Sequence, residues 1–106
     1  MIEIKAKLWL EKDSKFILGV GRAEILRKIK DTGSLARAAE SMGMSYSHAW
    51  SEIREISDAL GGPVVETARG GRSGGSSRLT ALGLEILDTF EKENERLDRH
   101  LAKRNG

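Results

Sequence analysis

The chain of 106 residues contains no cysteine, one proline and only two histidines. The absence of cysteine excludes disulfides, thiolate zinc sites and thiol chemistry. His48 and His100 fall on segments that we assign to different helices, so we expect neither a transition-metal site nor a cofactor. No titratable pair has a spacing that suggests acid-base catalysis, and no nucleophile has a neighbouring base, so we do not expect an enzyme.

Long apolar runs are also lacking, since no segment approaches the length that crosses a bilayer. The first residues lack the basic patch and apolar core of a secretory signal, and we therefore expect a cytoplasmic protein without a membrane partner. Hydrophobic residues make up 39% and charged residues 32% of the chain. This balance is typical of a folded domain, and the length predicts a single domain over residues 1–106.

Residues 33–53 predict two short helices joined by a tight turn at Gly43. Glycine accepts the positive φ that redirects the chain, and Ser34 and Ser45 are suited to cap the two helices. The apolar stripe of the first helix and that of the second would pack face to face, as in a helix-turn-helix. The residues of these stripes are Leu35, Ala38, Ala39 and Met42, then Ala49, Trp50 and Ile53.

The outer face of the second helix carries short hydrogen-bonding groups and one tyrosine. Such side chains can meet base edges in a DNA major groove without repelling one another. The alternative is an αα-hairpin of any small helical domain. The residues are Ser45, Tyr46, Ser47, His48 and Ser51.

The rest of this helix, to Leu60, carries Glu52, Glu55 and Asp58. Phosphates repel carboxylates, so we expect only the first two turns to lie deep in a groove.

The chain before the helix-turn-helix predicts a hairpin over residues 1–18 and a helix over residues 22–32. Apolar and polar residues alternate from residue 2 to residue 10, as in a half-buried strand, and residues 16–18 would pair with it. Trp9 lies on the polar face, where it either covers its own domain or contacts a partner subunit. Arg22, at the start of the helix, is interpreted as solvated or as reaching a phosphate.

Residues 64–80 predict a basic β-hairpin. Two short strands flank a segment rich in glycine and serine, and three arginines stand against one glutamate between residues 62 and 80. A phosphate-binding nucleotide loop is excluded because no GxxxxGK[ST] pattern is present. A plain flexible tip remains the alternative to a DNA-binding wing. The arginines are Arg69, Arg72 and Arg78.

A long helix is predicted over residues 81–104, with Thr80 as its cap. Apolar residues recur along it at a three-four spacing, interrupted by Asn94 at an a position, where asparagine favours an aligned two-stranded pair. We interpret the segment as a dimerisation helix, the alternative being a helix that folds back on its own domain with Asn94 exposed. The seam consists of Leu87, Phe90, Asn94, Leu97 and Leu101.

Residues 42–50, 59–66 and 70–80 together resemble the N-terminal DNA-binding domain of the molybdate-dependent transcriptional regulators (ModE), and more distantly the LysR-type regulators. The resemblance implies a winged helix-turn-helix that dimerises and binds a palindromic operator. The chain ends after the long helix, without the oxyanion-binding domains of family members that sense molybdate. A small-molecule effector is therefore not evident, and we expect no signal, a separate sensing chain or a different ligand.

The predicted fold is mainly α with small β hairpins: a winged helix-turn-helix over residues 22–80 and a long C-terminal dimerisation helix. The predicted function is sequence-specific binding of double-stranded DNA as a homodimeric transcription regulator. The alternative is a winged-helix module for protein interaction or assembly, whose binding would depend little on salt. Besides the residues of the second helix and the wing, the predicted DNA contacts are Ser34 and Arg37.

Overall fold

The computed structural model describes residues 1–68 and 76–106. These residues form two short hairpins and four helices. The first hairpin pairs β1 (Leu10–Lys12) with β2 (Lys15–Leu18). The helices are α1 (Val20–Thr32), α2 (Leu35–Ser41), α3 (Tyr46–Leu60) and α4 (Ala81–Asn105), and the second hairpin, between α3 and α4, pairs β3 (Val65–Ala68) with β4 (Ser76–Leu79).

The N-terminal hairpin is shorter than the sequence predicts. The strand predicted over residues 2–10 is wrong for residues 2–9, because β2 has only four residues and pairs only with Leu10–Lys12. Alternation alone does not make a strand, since its backbone groups need a partner. Ile2 stays 97% exposed, and the backbone of Ile4 instead hydrogen-bonds the side-chain amide of Asn105 in both directions, each at 2.9 Å.

Helix α1 is the centre of the domain, packing against α2, α3, α4, β2 and β4. Its stripe of Ala23, Ile25, Leu26 and Ile29 is buried. It starts two residues earlier than predicted and ends at Gly33, as predicted, in a left-handed conformation with φ of 72°. The central position of α1 follows from a stripe wide enough to face several elements at once.

Helices α2 and α3 form the predicted helix-turn-helix. Gly43 has a φ of 66°, and the hydroxyls of Ser34 and Ser45 each accept a hydrogen bond from the backbone N–H three residues on, both at 3.1 Å. Both caps and the turn predicted from the sequence are confirmed. The facing residues Leu35, Ala38, Ala39, Ala49 and Ile53 are buried, while Met42 and Trp50 are half-buried.

Helix α4 begins against the second hairpin. Thr80 caps it, as predicted, by accepting a hydrogen bond from the N–H of Gly83 at 3.0 Å. Gly83 is buried so close to the start of the hairpin that an added Cβ would lie 2.1 Å from the carbonyl oxygen of Val64. Leu87 and Phe90 complete the buried part of the helix, and no later residue of α4 is buried. The remaining turns extend the domain to a longest dimension of 55 Å.

No helix among residues 1–68 and 76–106 is long and apolar enough to cross a membrane.

Candidate nucleic-acid interface

The first two turns of α3 present a polar surface to solvent. Ser47, His48 and Ser51 are exposed, and Tyr46 is 53% exposed. The hydroxyl of Ser45 caps the helix and lies 3.4 Å from the hydroxyl of Ser47. The side chains that the sequence predicts to read bases therefore face outward.

The hairpin of β3 and β4 lies on the same side of the domain as the first turns of α2 and α3. A small cleft joins the three elements, lined by Ser34, which caps α2, by Ala36 of α2, by Tyr46 of α3 and by both strands of the hairpin. Two hydrogen bonds hold the hairpin there: the N–H of Ser77 donates to the carbonyl of Gly33 at 2.8 Å, and the hydroxyl of Ser77 accepts from the N–H of Leu35 at 3.2 Å. The hairpin and the tip of α3 thus form one continuous surface.

Arg78 is the arginine of the hairpin that lies within the described residues. Arg78 is exposed and faces Glu66 directly across the two strands, with its Nε 3.0 Å from the carboxylate. The described strands therefore carry no net positive charge between them. Arg69 and Arg72 lie outside the described residues, so their contact with DNA stays a prediction.

Ser34 and Arg37 border this surface at the start of α2. Ser34 is half-buried and uses its hydroxyl as a cap, while the side chain of Arg37 is exposed. The predicted phosphate contacts of both residues stay predictions.

The side chain of Arg22 is largely buried, so the interpretation of Arg22 as a solvated residue is wrong. Its side chain is only 11% exposed and forms ion pairs with Glu52 and Glu55 of α3. It also donates to the carbonyl of Ile17 at 3.0 Å, and its guanidinium lies 4.8 Å from the ring centre of Phe16. Glu52 and Glu55 lie 30 and 33 residues after Arg22, and nothing in the sequence indicated that they would pair with it.

Arg54 is a candidate contact that the sequence reading missed. It follows Ser47 by seven residues and Ser51 by three, so it lies on their face of α3, and it is exposed. Its guanidinium lies 5.9 Å from the ring centre of Trp50, a cation–π contact that orients it. Its spacing from Ser47 and Ser51 could have been read from the sequence and would have indicated that Arg54 shares their face.

The predicted dimerisation seam divides into two parts. Leu87 and Phe90, at 1% and 3% exposure, belong to the core of the domain itself. Their side chains are therefore used within the chain, as the fold-back alternative expects for this part of the helix. Asn94, Leu97 and Leu101 lie beyond the core and are half-buried. Of the five residues predicted to join two copies, these three remain available for that contact. The dimer seam stays a prediction.

Among the described residues, no three His, Asp or Glu side chains are grouped so as to hold a metal ion. A pKa shift lies away from the candidate surface: the hydrogen bond from Arg27 to Glu91 raises the pKa of Arg27. That pair joins α1 to α4, with Arg27 Nε 2.9 Å from the carboxylate. It contributes to packing and not to the polar surface of α3.

The helix-turn-helix, the adjoining hairpin and the long last helix together define a winged helix-turn-helix domain. Residues 21–84 match the family described as "Bacterial regulatory helix-turn-helix protein, lysR family". The chain belongs to this family, which consists of regulatory proteins and not of enzymes.

Curated relatives include the molybdenum-pterin-binding protein MopB of Rhodobacter capsulatus, 36% identical over 73 residues, which are 69% of this chain and 27% of the relative. The DNA-binding transcriptional dual regulator ModE of Escherichia coli K12 is 31% identical over 84 residues, or 79% of this chain and 32% of the relative. The chain thus spans about a third or less of the length of the curated relatives it matches.

Among solved structures, ArgP from Mycobacterium tuberculosis aligns with a TM-score of 0.58 and 19% identity. The alignment covers 78% of this chain and 29% of that one. At this identity the likeness concerns the fold alone.

Proposed function

We propose that the chain binds double-stranded DNA sequence-specifically, as the DNA-reading part of a transcription regulator. The first two turns of α3 enter the major groove, where Tyr46, Ser47, His48 and Ser51 contact base edges. The hairpin follows the neighbouring backbone. The observation that supports the proposal is the cleft joining α2, α3 and the hairpin, because the first turn of α3 and the base of the hairpin lie on one side of the domain.

Phosphate contacts come from arginines around this surface. The candidates among the described residues are Arg37 of α2, Arg78 of β4 and Arg54, which is exposed on the face of α3 that carries Ser47 and Ser51. Arg69 and Arg72 are candidates from the sequence. Such contacts fix the position of the protein on the duplex and carry no sequence information themselves.

The DNA-binding form is a homodimer on a palindromic operator. The half-buried Leu97 and Leu101, with Asn94 one turn before Leu97, form the apolar side of the part of α4 that extends past the core. Neither leucine is packed against the hydrophobic core. Two copies joined there would present their α3 helices to half-sites about one helical turn apart.

Selection from a random duplex library tests the proposal. The purified chain is expected to enrich an inverted repeat, and binding to that repeat is expected to weaken steeply as salt rises. Recovery of unenriched sequences would contradict sequence-specific binding, and an affinity that does not change with salt would favour the protein-interaction alternative.

A further inference from the structure

Helix α3 carries charges that oppose its proposed task. Glu52 directly follows Ser51 and Glu55 lies about one turn further on, both on the flank of the helix that also carries His48. A helix lying in a groove approaches phosphates on both sides, and carboxylates on its flank are repelled by them unless they are neutralised.

Arg22 meets both carboxylates from α1. One nitrogen of its guanidinium donates to Glu52 and a second to Glu55, while the third donates to the carbonyl of Ile17. The ring of Phe16 covers the guanidinium. Because each of its three nitrogens has a partner within the chain and the side chain is only 11% exposed, Arg22 is not placed to contact a phosphate itself.

The arrangement continues from Glu52 to the base-reading face. The second carboxylate oxygen of Glu52 lies 3.6 Å from Nε2 of His48, whose side chain is 58% exposed. Glu52 is thus held between Arg22 on the inside and His48 on the outside. Without Arg22, its carboxylate would be free to turn toward the groove.

We propose that Arg22 is a positioning residue for DNA binding: it neutralises Glu52 and Glu55 and fixes the flank of α3 from which His48 projects. This role rests on the proposed function, since it supposes that α3 lies against DNA. Arg22 acts through the two glutamates and touches no nucleotide. A purely structural role would join the same helices but would leave the affinity of the folded protein for DNA unchanged.

The test compares Arg22→Met, which keeps the apolar stem, with the triple variant R22M/E52Q/E55Q. The probe is a fluorescent duplex carrying the sequence that the unmodified chain enriches from a random library. Arg22→Met is expected to weaken binding about tenfold. The triple variant, which has no carboxylates left to neutralise, is expected to bind at least as tightly as the unmodified chain.

Arg27→Ala is the matched control, because it removes an α1 arginine that pairs with Glu91 of α4, away from the polar surface. Its affinity for the duplex is expected to be unchanged. The proposal is overturned if folded Arg22→Met binds normally, if the triple variant remains weak, or if Arg27→Ala weakens binding equally. If Arg22→Met does not fold, a folded triple variant decides the question alone.

Failure of the proposed function would look different. In that case the unmodified chain would enrich no sequence, and there would be no duplex on which to compare the affinities of the variants. Thermal unfolding measures the contact of Arg22 with Glu52 and Glu55 in the absence of DNA. Replacing both glutamates should lower the stability of the chain that has Arg22, and should lower that of the Arg22→Met chain much less.

Discussion

The buried hydroxyl of Ser77 in β4 accepts a hydrogen bond from the backbone N–H of Leu35, the first residue of α2. The backbone N–H of Leu35 is one of the first four N–H groups of α2, and these have no acceptor within the helix. The hairpin therefore completes the helix-turn-helix, and the position of one depends on the other. Among the described residues, Ser77 is the one polar side chain counted with the buried core.

Replacing Ser77 by alanine should leave the N–H of Leu35 buried without its acceptor and destabilise the protein by about 1–3 kcal/mol. Urea unfolding measures this loss. The control is Ser76→Ala, an exposed neighbour in the same strand, which should change stability by less than about 0.5 kcal/mol. Equal effects of the two variants would contradict the assigned role of the Ser77 hydroxyl.

Gly83 and Gly21 both lie in the first turn of a helix, but only one is crowded. A Cβ on Gly83 would collide with the backbone of Val64, whereas one on Gly21 would meet nothing within 4 Å. Gly83→Ala should therefore cost about 3 kcal/mol by overpacking. Gly21→Ala should be neutral or stabilise by about 0.5–1 kcal/mol, because alanine suits a helix better. Thermal unfolding of both variants checks the pair, and a tolerated Gly83→Ala would show that α4 does not sit so tightly on the hairpin.

Ser47 and Arg54 share a face of α3, but replacing each of them by alanine should change DNA binding in a different way. Ser47→Ala should mainly relax base preference, since a serine hydroxyl can contact a base edge. Arg54→Ala should weaken binding to all sequences and flatten the dependence of log affinity on log salt by about one. The same uniform effect is expected of Arg72→Ala. Anisotropy titrations with the enriched duplex and a scrambled one, at several salt concentrations, separate these outcomes. If Ser47→Ala weakens both duplexes equally, Ser47 does not read a base.

The leucines at the end of α4 should govern self-association. The unmodified chain is expected to sediment as a dimer, and the double variant L97K/L101K as a folded monomer, because lysines facing one another in an apolar seam repel. Leu84→Lys is the control, since Leu84 is already 42% exposed near the start of the same helix. A monomeric unmodified chain, or a dimeric double variant, would contradict the seam.

Local signals in the sequence accounted for the helices and their ends. The caps at Ser34, Ser45 and Thr80 and the turns at Gly33 and Gly43 each depend on one residue and its immediate neighbours, and all five are confirmed. Periodicity likewise identified the buried faces of the helix-turn-helix. These features follow from interactions within a few residues, which a sequence displays directly.

The failures concern contacts between distant residues. The alternation over residues 2–9 suggested a strand, but strand formation depends on a partner of matching length. Arg22 looked solvated because its ion partners are 30 and 33 residues away. Leu87 and Phe90 continued a heptad pattern that does not distinguish the core of one chain from the seam of two. Periodicity indicates which face is apolar and not what covers it.

Amide chemical-shift mapping of the ¹⁵N-labelled chain with the enriched duplex tests the central claim most directly, namely that the tip of α3 and the base of the hairpin together contact DNA. The largest shifts are expected at residues 34–37, 45–51, 67–68 and 76–78. Shifts confined to the last turns of α4, beyond Phe90, with the α3 tip unchanged, would contradict it.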